Sequence, residues 1–372
     1  MIYNPFQNEQ LSALGLGAMR LPTTPDGAID EAAATEMVDY AMKNGINYYD
    51  TAWGYHNGQS EPVMGKLLSA YPREQFKLAS KFPGYDLANM GKVTEIFEKQ
   101  LERCRVDYFD FYMFHNVCEM NIDGYLDPSN GIYDYLMEQK KRGRIRHLGF
   151  STHGSLATMR RFLEAYGKDM EFCQIQLNYL DWSFQEAKEK IEMLNEYGIP
   201  VWVMEPLRGG KLATLDEAHT AAMRAVRDEA LPALAFRFLQ AIPEVVVTLS
   251  GMSNMTQLKE NIETYSENKP LNGAEFEGVL AVAADILKNM IPCTACRYCT
   301  EYCPQGLDIP RLIKLYNEHA FTGGGFIAPM ALSRVPADKQ PSACLACRAC
   351  EAVCPQNIKI ADVMSDFTAR LK

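Results

Sequence analysis

The feature that most restricts this chain is a cysteine run that occurs twice near its C-terminus. Cys293, Cys296, Cys299 and Cys303 follow the spacing C-x2-C-x2-C-x3-C, and Pro304 closes the run. Cys344, Cys347, Cys350 and Cys354 repeat it, closed by Pro355, each cysteine 51 residues after its counterpart. The likeness runs further: Gly306-Leu307-Asp308-Ile309 follows one Cys-Pro-Gln and Asn357-Ile358-Lys359-Ile360 the other. Three thiolates at three-residue spacing converge on three irons of one cube, and the fourth iron takes a ligand from elsewhere. A structural zinc needs only four thiolates, typically from paired C-x2-C hooks, so the third hook and the Cys-Pro ending are superfluous for it. Disulfides are the remaining alternative. The opening Met1-Ile2-Tyr3-Asn4-Pro5-Phe6 has no basic or apolar signal-peptide region, so a cytoplasmic location is expected, where disulfides are rare. Iron–sulfur clusters are the expected occupants.

The segment resembles the two-cluster ferredoxins, in which the fourth Cys of each run serves the other cluster. The resemblance implies two 4Fe–4S clusters, one on Cys293, Cys296, Cys299 and Cys354, the other on Cys344, Cys347, Cys350 and Cys303. The 40 residues between Cys303 and Cys344 exceed what a compact bacterial ferredoxin uses. Residues 314–319 and 358–367 read as helical, so an α-helical module is expected, with a flexible turn at Gly323-Gly324-Gly325. Cys104 and Cys173 fall in element patterns and read as buried small hydrophobes; Cys118 reads as core or loop filler.

The rest of the 372 residues leaves room for a barrel of about 250 residues. Eight apolar, β-branched or aromatic runs recur near 14–19, 46–51, 76–82, 106–115, 146–152, 172–178, 199–206 and 244–251. Helical patterns separate them at 31–43, 92–104, 132–142, 155–166, 185–197, 216–241 and 254–265. Strands alternating with helices, continuous in their apolar character, imply a parallel sheet buried on both faces. Eight such units make a closed (β/α)8 TIM barrel, an α/β fold. The competing doubly wound sheet announces itself with G-x-G-x-x-G opening a helix. Here Gly15-Leu16-Gly17-Ala18-Met19-Arg20 lacks the third Gly and runs into Leu21-Pro22. Residues 267–273 read as a linker and 274–289 as one more helix, so the expected domains are 1–270 and 271–372.

Function in such a barrel sits at the C-terminal ends of the strands. Asp50 and Tyr55 follow the second run, Lys81 the third and His115 the fourth. Each alone has an ordinary explanation, as helix cap, wet-tipped core residue, surface cation or hydrogen-bonded structural histidine. Together they suit carbonyl reduction, which needs a proton on oxygen as well as a hydride on carbon. A phenol is an acid with a reference pKa of about 10, which a neighbouring ammonium is expected to lower. Asp50 would keep a buried Lys81 charged, and His115 would donate to the carbonyl oxygen.

Asp50-Thr51-Ala52-x-x-Tyr55, then Gly58-Gln59-Ser60-Glu61, then Lys81, then His115 resembles the aldo-keto reductase pattern, in order and at fitting distances across residues 1 to about 265. The resemblance implies that Tyr55 is the general acid, tuned by Lys81 and Asp50. It also implies cofactor contacts at Met19 and Arg20, and contacts to the nicotinamide amide at Ser151, Thr152 and Gln176. Glu205, Pro206, Leu207 and Gly209 would lie at the pyrophosphate. Ser250, Gly251, Ser253, Gln257, Glu260 and Asn261 would form the adenosine-phosphate clamp. Family members that prefer NADP usually offer Lys or Arg in this clamp. Here Asn254 and Gln257 occupy those places and no basic residue appears until Lys259, so NADP and NAD both stay open. The chain resembles a bacterial subset that joins this barrel to the two-cluster segment.

A hydride is a two-electron unit and a cluster passes one electron at a time. No flavin motif is recognisable, and a flavin is not indicated. Three readings follow: a nicotinamide-dependent carbonyl reductase with auxiliary clusters, an enzyme fed by a ferredoxin-like partner with an unseen flavin as one route, and a non-catalytic electron carrier or binding module. The first is favoured, because the tetrad is intact. A small carbonyl or alcohol is the expected substrate. The net charge of −10 argues against nucleic acid or anionic membrane as partner. The insert 116–131 reads as a solvated loop, although Asp123, Asp127 and Asn130 would suit a polar substrate.

Overall fold

The computed structural model describes residues 1–372 except 289, 294, 295 and 355. The expected helix end at Asn289 and the closing Pro355 therefore lie outside the described residues. The chain forms two compact units, Met1–Leu280 and Ala281–Lys372.

The first unit opens with an antiparallel hairpin of β1 (Tyr3–Phe6) and β2 (Glu9–Ser12). Eight parallel strands follow: β3 (Leu14–Gly17), β4 (Tyr48–Asp50), β5 (Lys77–Phe82), β6 (Phe109–Val117), β7 (Ile145–Thr152), β8 (Cys173–Gln176), β9 (Val201–Met204) and β10 (Val245–Ser250). They close in sequence order, β10 pairing with β3, into the expected barrel. Almost every strand residue is buried, as a sheet covered on both faces requires. The outer helices carry an apolar stripe instead. In Glu31–Lys43 it is Ala34, Met37, Val38 and Ala41, the i, i+3, i+4, i+7 spacing of one helix face.

The barrel interior is a packed core of Tyr48, Phe111, Phe172 and Trp202 with smaller apolar neighbours. Phe6 of the hairpin joins it, its ring 5.0 Å from both Trp202 and His147. The hairpin was not foreseen, since two four-residue strands around Pro5 carry too little alternation to register.

Two other expectations change. The helix expected over 216–241 breaks into Glu217–Val226 and Leu231–Gln240. Arg227 is extended (φ −154°), and Pro232 occupies the first turn of the second helix, where its missing N–H costs nothing. The insert 116–131 is not simply solvated loop: it holds the helix Ile122–Leu126, with Ile122 and Tyr125 buried.

In the second unit the described residues form helices and turns, the longest helices being Ile309–Thr322 and Ile360–Arg370. These begin 51 residues apart, so the sequence repeat is also a structural one. Gly306 and Asn357, which correspond, both have left-handed backbone (φ 59° and 53°), as do Arg297 and Arg348 (65° and 60°). One core gathers both copies, including Leu307 with Ile358, Ile309 with Ile360, and Ile313 with Met364. No helix among the described residues is long and apolar enough to cross a membrane.

Candidate active site and cluster sites

The stagger of neighbouring strands builds the first site. Asp50 is level with Ala79 on β5, and Lys81 is level with Met113 on β6. Side chains two residues apart share a face, so Asp50, Lys81 and His115 rise in steps from the same inner wall. Ala79 and Met113 belong to the core beneath them.

Lys81 is fully buried. Its Nζ donates to Asp50 Oδ1 at 2.6 Å, to the Thr51 carbonyl at 2.9 Å and to Tyr55 Oη at 3.5 Å, which uses all three ammonium hydrogens. Tyr55 opens a turn in which His56 and Asn57 are left-handed, and the Leu21 N–H donates to His56 Nε2 at 3.1 Å, tying that turn to the end of β3. The His115 ring stands edge-on to Tyr55, with centroids 6.1 Å apart. The structure thus brings the four expected residues together. Asp50 Oδ2 and His115 Nδ1 are buried without a hydrogen-bond partner among the described residues.

Burial pushes the Asp50 carboxyl up and the Lys81 ammonium down, and their mutual attraction opposes each shift. Burial also pushes the Tyr55 phenol well above its ordinary value, aided by the Asp50 and Glu205 carboxylates. The expected lowering by Lys81 is therefore not found: its charge is matched by Asp50, so Tyr55 meets an ion pair rather than a bare cation. Burial, with the charge of Lys81, drives His115 well below 6.5, leaving a neutral imidazole with one N–H to donate.

Three residues beyond the tetrad shape this site, and two of them, Tyr125 and Tyr85, had no signal in the sequence. Tyr125 Oη donates to the carbonyls of His115 (2.9 Å) and Phe82 (3.3 Å), bridging the ends of β6 and β5. Tyr85 stands edge-on to His115 at 5.1 Å, and its hydroxyl packs on Gly54, where a Cβ would push the ring aside. Glu61, fully buried behind Lys81, accepts from Ser80 Oγ (2.7 Å) and Gln100 Nε2 (2.6 Å). Only Glu61 had a signal, as part of the Gly58–Glu61 pattern.

The expected cofactor residues divide. Met19, Arg20, Gly209, Gly251, Ser253, Gln257 and Glu260 are exposed at the strand ends, while Glu205 and Leu207 are half-buried. Ser151, Thr152, Gln176, Pro206, Ser250 and Asn261 are buried. Several already have work. Ser151 Oγ accepts from the Asn116 N–H at 2.8 Å, and Thr152 Oγ1 donates to the Val117 carbonyl at 2.7 Å. Gln176 Nε2 donates to Asp181 Oδ2 at 2.8 Å, and Arg208 holds Asp181 through Nε and Nη2 at 2.9–3.0 Å. Asn254 caps the helix Met255–Thr264, Gln257 Oε1 accepts from the Ser253 N–H, and Asn261 bonds Ser250.

The cysteines of the second unit stand around two cavities. Cys293, Cys296, Cys299 and Cys354 line one of about 320 Å3, with Arg297 and Ile313. Cys303, Cys344, Cys347 and Cys350 line the other, of about 350 Å3, with Arg348 and Leu307. In each, three thiols come from one run and the fourth from its repeat. Among the described residues no three His, Cys, Asp or Glu side chains close on one point as around a single ion. The apolar lining and soft donors suit a thiolate-held iron–sulfur cage. The Leu307 N–H donates to Cys303 Sγ at 3.5 Å, a bond that stabilises thiolate. Cys104, Cys118 and Cys173 are buried apart from these cavities.

Barrel, strand-end tetrad and paired thiol cavities define an oxidoreductase fold carrying an iron–sulfur module. The chain belongs to the aldo/keto reductase family, whose model matches residues 13–283, and residues 292–358 match the 4Fe-4S dicluster domain. It is similar to a protein named "Probable aldo-keto reductase 1" from Glycine max, 28% identical over 55% of this chain and 58% of that protein. An "NADH-specific methylglyoxal reductase" from Escherichia coli is 28% identical over 54% of this chain and 65% of its own. The chain thus spans under two thirds of the length of these two relatives. Among solved structures, aldo-keto reductase AKR11C1 from Bacillus halodurans, in its holo form, is 26% identical with a TM-score of 0.63, covering 76% of this chain and 96% of that one.

Proposed function

We propose that this protein interconverts a small carbonyl and its alcohol with NADP or NAD, on a barrel of residues 1–270, and carries two 4Fe–4S clusters on residues 271–372. The observation that supports the reaction is the Lys81 ammonium, 2.6 Å from Asp50 and 3.5 Å from Tyr55, beside a neutral His115. A bound nicotinamide supplies the hydride in reduction and accepts it in oxidation. The His115 N–H hydrogen-bonds the substrate oxygen and polarises the carbonyl. Tyr55, kept protonated by its raised pKa, gives its proton to that oxygen as the carbon is reduced, and solvent restores it. Lys81 steadies the phenolate in that interval, and Asp50 holds Lys81 charged.

The glycines at 209 and 251, where a Cβ would crowd Arg20, leave backbone bare for a dinucleotide. The two cavities suit one cluster each: Cys293, Cys296, Cys299 and Cys354 would hold the first, Cys303, Cys344, Cys347 and Cys350 the second. The location we infer is the cytoplasm. An electron supply from a ferredoxin-like partner is the second reading, favoured by the presence of both cavities.

Anaerobic purification with iron and sulfide analysis, followed by NADH and NADPH binding, tests the proposal. About eight irons per chain, binding of either nucleotide and no flavin are expected. Bound flavin, or binding of neither nucleotide, favours the carrier-fed reading; a colourless zinc protein removes the clusters.

A further inference from the structure

Each cysteine run of the second unit ends in a turn that carries its last thiol across to the other cavity. The two turns close alike: the Gly306 N–H donates to the Cys303 carbonyl at 2.8 Å, and the Asn357 N–H to the Cys354 carbonyl at 3.0 Å. Their side-chain surroundings differ. Lys339 lays its ammonium on the first turn, where Nζ donates to the Gln305 carbonyl and a Cβ on Gly306 would stand 3.3 Å from it. Gln305 lines the cavity of Cys303, Cys344, Cys347 and Cys350, and in the same turn the Leu307 N–H donates to Cys303 Sγ at 3.5 Å.

Lys339 has no carboxylate partner among the described residues. The residue 51 before it, Lys288, ends the helix Gly273–Lys288 and pairs with Asp285 at 3.0 Å, so the repeat does not reproduce this cation's place. The nearby ion pairs are unequal too. Beside the cavity of Cys293, Cys296, Cys299 and Cys354, Arg297 pairs with Asp308 at 3.3 Å. Beside the other, Arg348 pairs with both Glu351 at 3.1 Å and Asp362 at 2.6 Å. Those two carboxylates stand where the first copy has Thr300 and Arg311. Without Lys339, the second cavity is bordered by one carboxylate more than its arginine neutralises.

We propose that Lys339 sets the reduction potential of the cluster on Cys303, Cys344, Cys347 and Cys350; this rests on the two-cluster reading above. A cluster that takes an electron from a donor gains one negative charge, and the donor is oxidised by one electron. A cation beside it and an N–H given to a ligand sulfur both favour the reduced form, which raises the potential. Lys339 supplies the cation, offsets the extra carboxylate and pins the turn from which Leu307 donates. The other cluster has its own, separate charge balance, so one residue tunes one of two cages that the duplication made alike.

The test is an anaerobic redox titration of the fully loaded chain with dithionite, followed by electron paramagnetic resonance, for wild type, Lys339→Gln and Lys339→Arg. Lys339→Gln is expected to make one of the two one-electron reductions harder, about tenfold in its equilibrium constant, or about 59 mV, and to leave the other in place. Lys339→Arg keeps the charge and should hold the wild-type value. Asp362→Asn should move the same reduction the opposite way, which keeps the test open if Lys339→Gln loads poorly. Arg297→Gln should move only the other reduction and so assigns the two. Potentials unchanged in Lys339→Gln overturn the proposal, as does an equal shift of both, which marks a general effect of charge. If Lys339→Gln fails to load, an unmoved potential in Asp362→Asn overturns it. Wild-type protein without about eight irons overturns the two-cluster reading, and the tuning with it.

Discussion

In the barrel, Asp50, Lys81 and His115 are held by strands whose register is fixed by ladder hydrogen bonds, so the site's geometry exists before any ligand arrives. In residues 281–372 the eight cysteines stand on turns and short helices, without a sheet among the described residues, around two cavities that thiols share with apolar side chains. The first region spends its own core on positioning charge: a buried ion pair survives there because packing and three hydrogen bonds hold it. The second has a smaller core that includes Cys299 and Cys350, and its other cysteines lie on turns beside it. The two regions are therefore expected to respond differently to damage.

The sharpest contrast is expected from stripping iron with an oxidant and chelator. The segment should lose its tertiary structure, as metal-dependent folds do, while the barrel keeps its cooperative melt. Circular dichroism with limited proteolysis checks this; a protease-resistant segment without iron would break the comparison. Next in size, Tyr55→Phe should lower kcat about 10^2- to 10^4-fold and leave iron content and nucleotide affinity as they were. Stopped-flow nucleotide oxidation and iron analysis report both.

Lys81→Met should cost the barrel about 3–5 kcal/mol by leaving the Asp50 carboxylate buried and alone. Asp50→Leu in the same chain should recover much of that stability without activity, read by urea unfolding. Tyr125→Phe, which deletes the hydroxyl bridging the ends of β5 and β6, should cost about 1 kcal/mol. Its kcat should fall while KM holds, since His115 loses its brace.

The last effect, confined to acid, is one of pH. Hydrogen bonds from His147, Lys140 and Gln7 outweigh burial and hold the Glu171 carboxyl at about 2. Its folded value lies below the ordinary 4.5, so its contribution is complete above that pH and fades as pH falls through about 2. Glu171→Gln should therefore flatten the acid limb of barrel stability and leave the cluster absorbance alone.

The sequence carried the parts whose chemistry is local. Cysteine spacing belongs to one ligand type, and eight apolar runs between helical patterns admit few folds. Asp50, Lys81 and His115 were visible because they end three consecutive apolar runs on the face where such a barrel works. Tyr85 and Tyr125 were not, because a tyrosine in a loop gives no sign of the carbonyl or glycine it meets across the barrel rim. The shift of Tyr55 was also misjudged. Adjacency to a lysine can be guessed from a motif, but the cancelling of that lysine by Asp50 and the depth of burial are properties of the packed molecule. The break at Arg227 had a local cause, Pro232 in a first helical turn, that an uninterrupted helical periodicity concealed.

The crossed lining of the two cavities has a consequence for how this segment can change over time. Each repeat lends its last cysteine to its sibling, so neither is self-sufficient: deleting one copy strands a thiol and opens the other's cage. Duplicated elements usually free one copy to drift. Here they are bound to a shared fate, and the pair would have to be gained, lost or transplanted as one cassette.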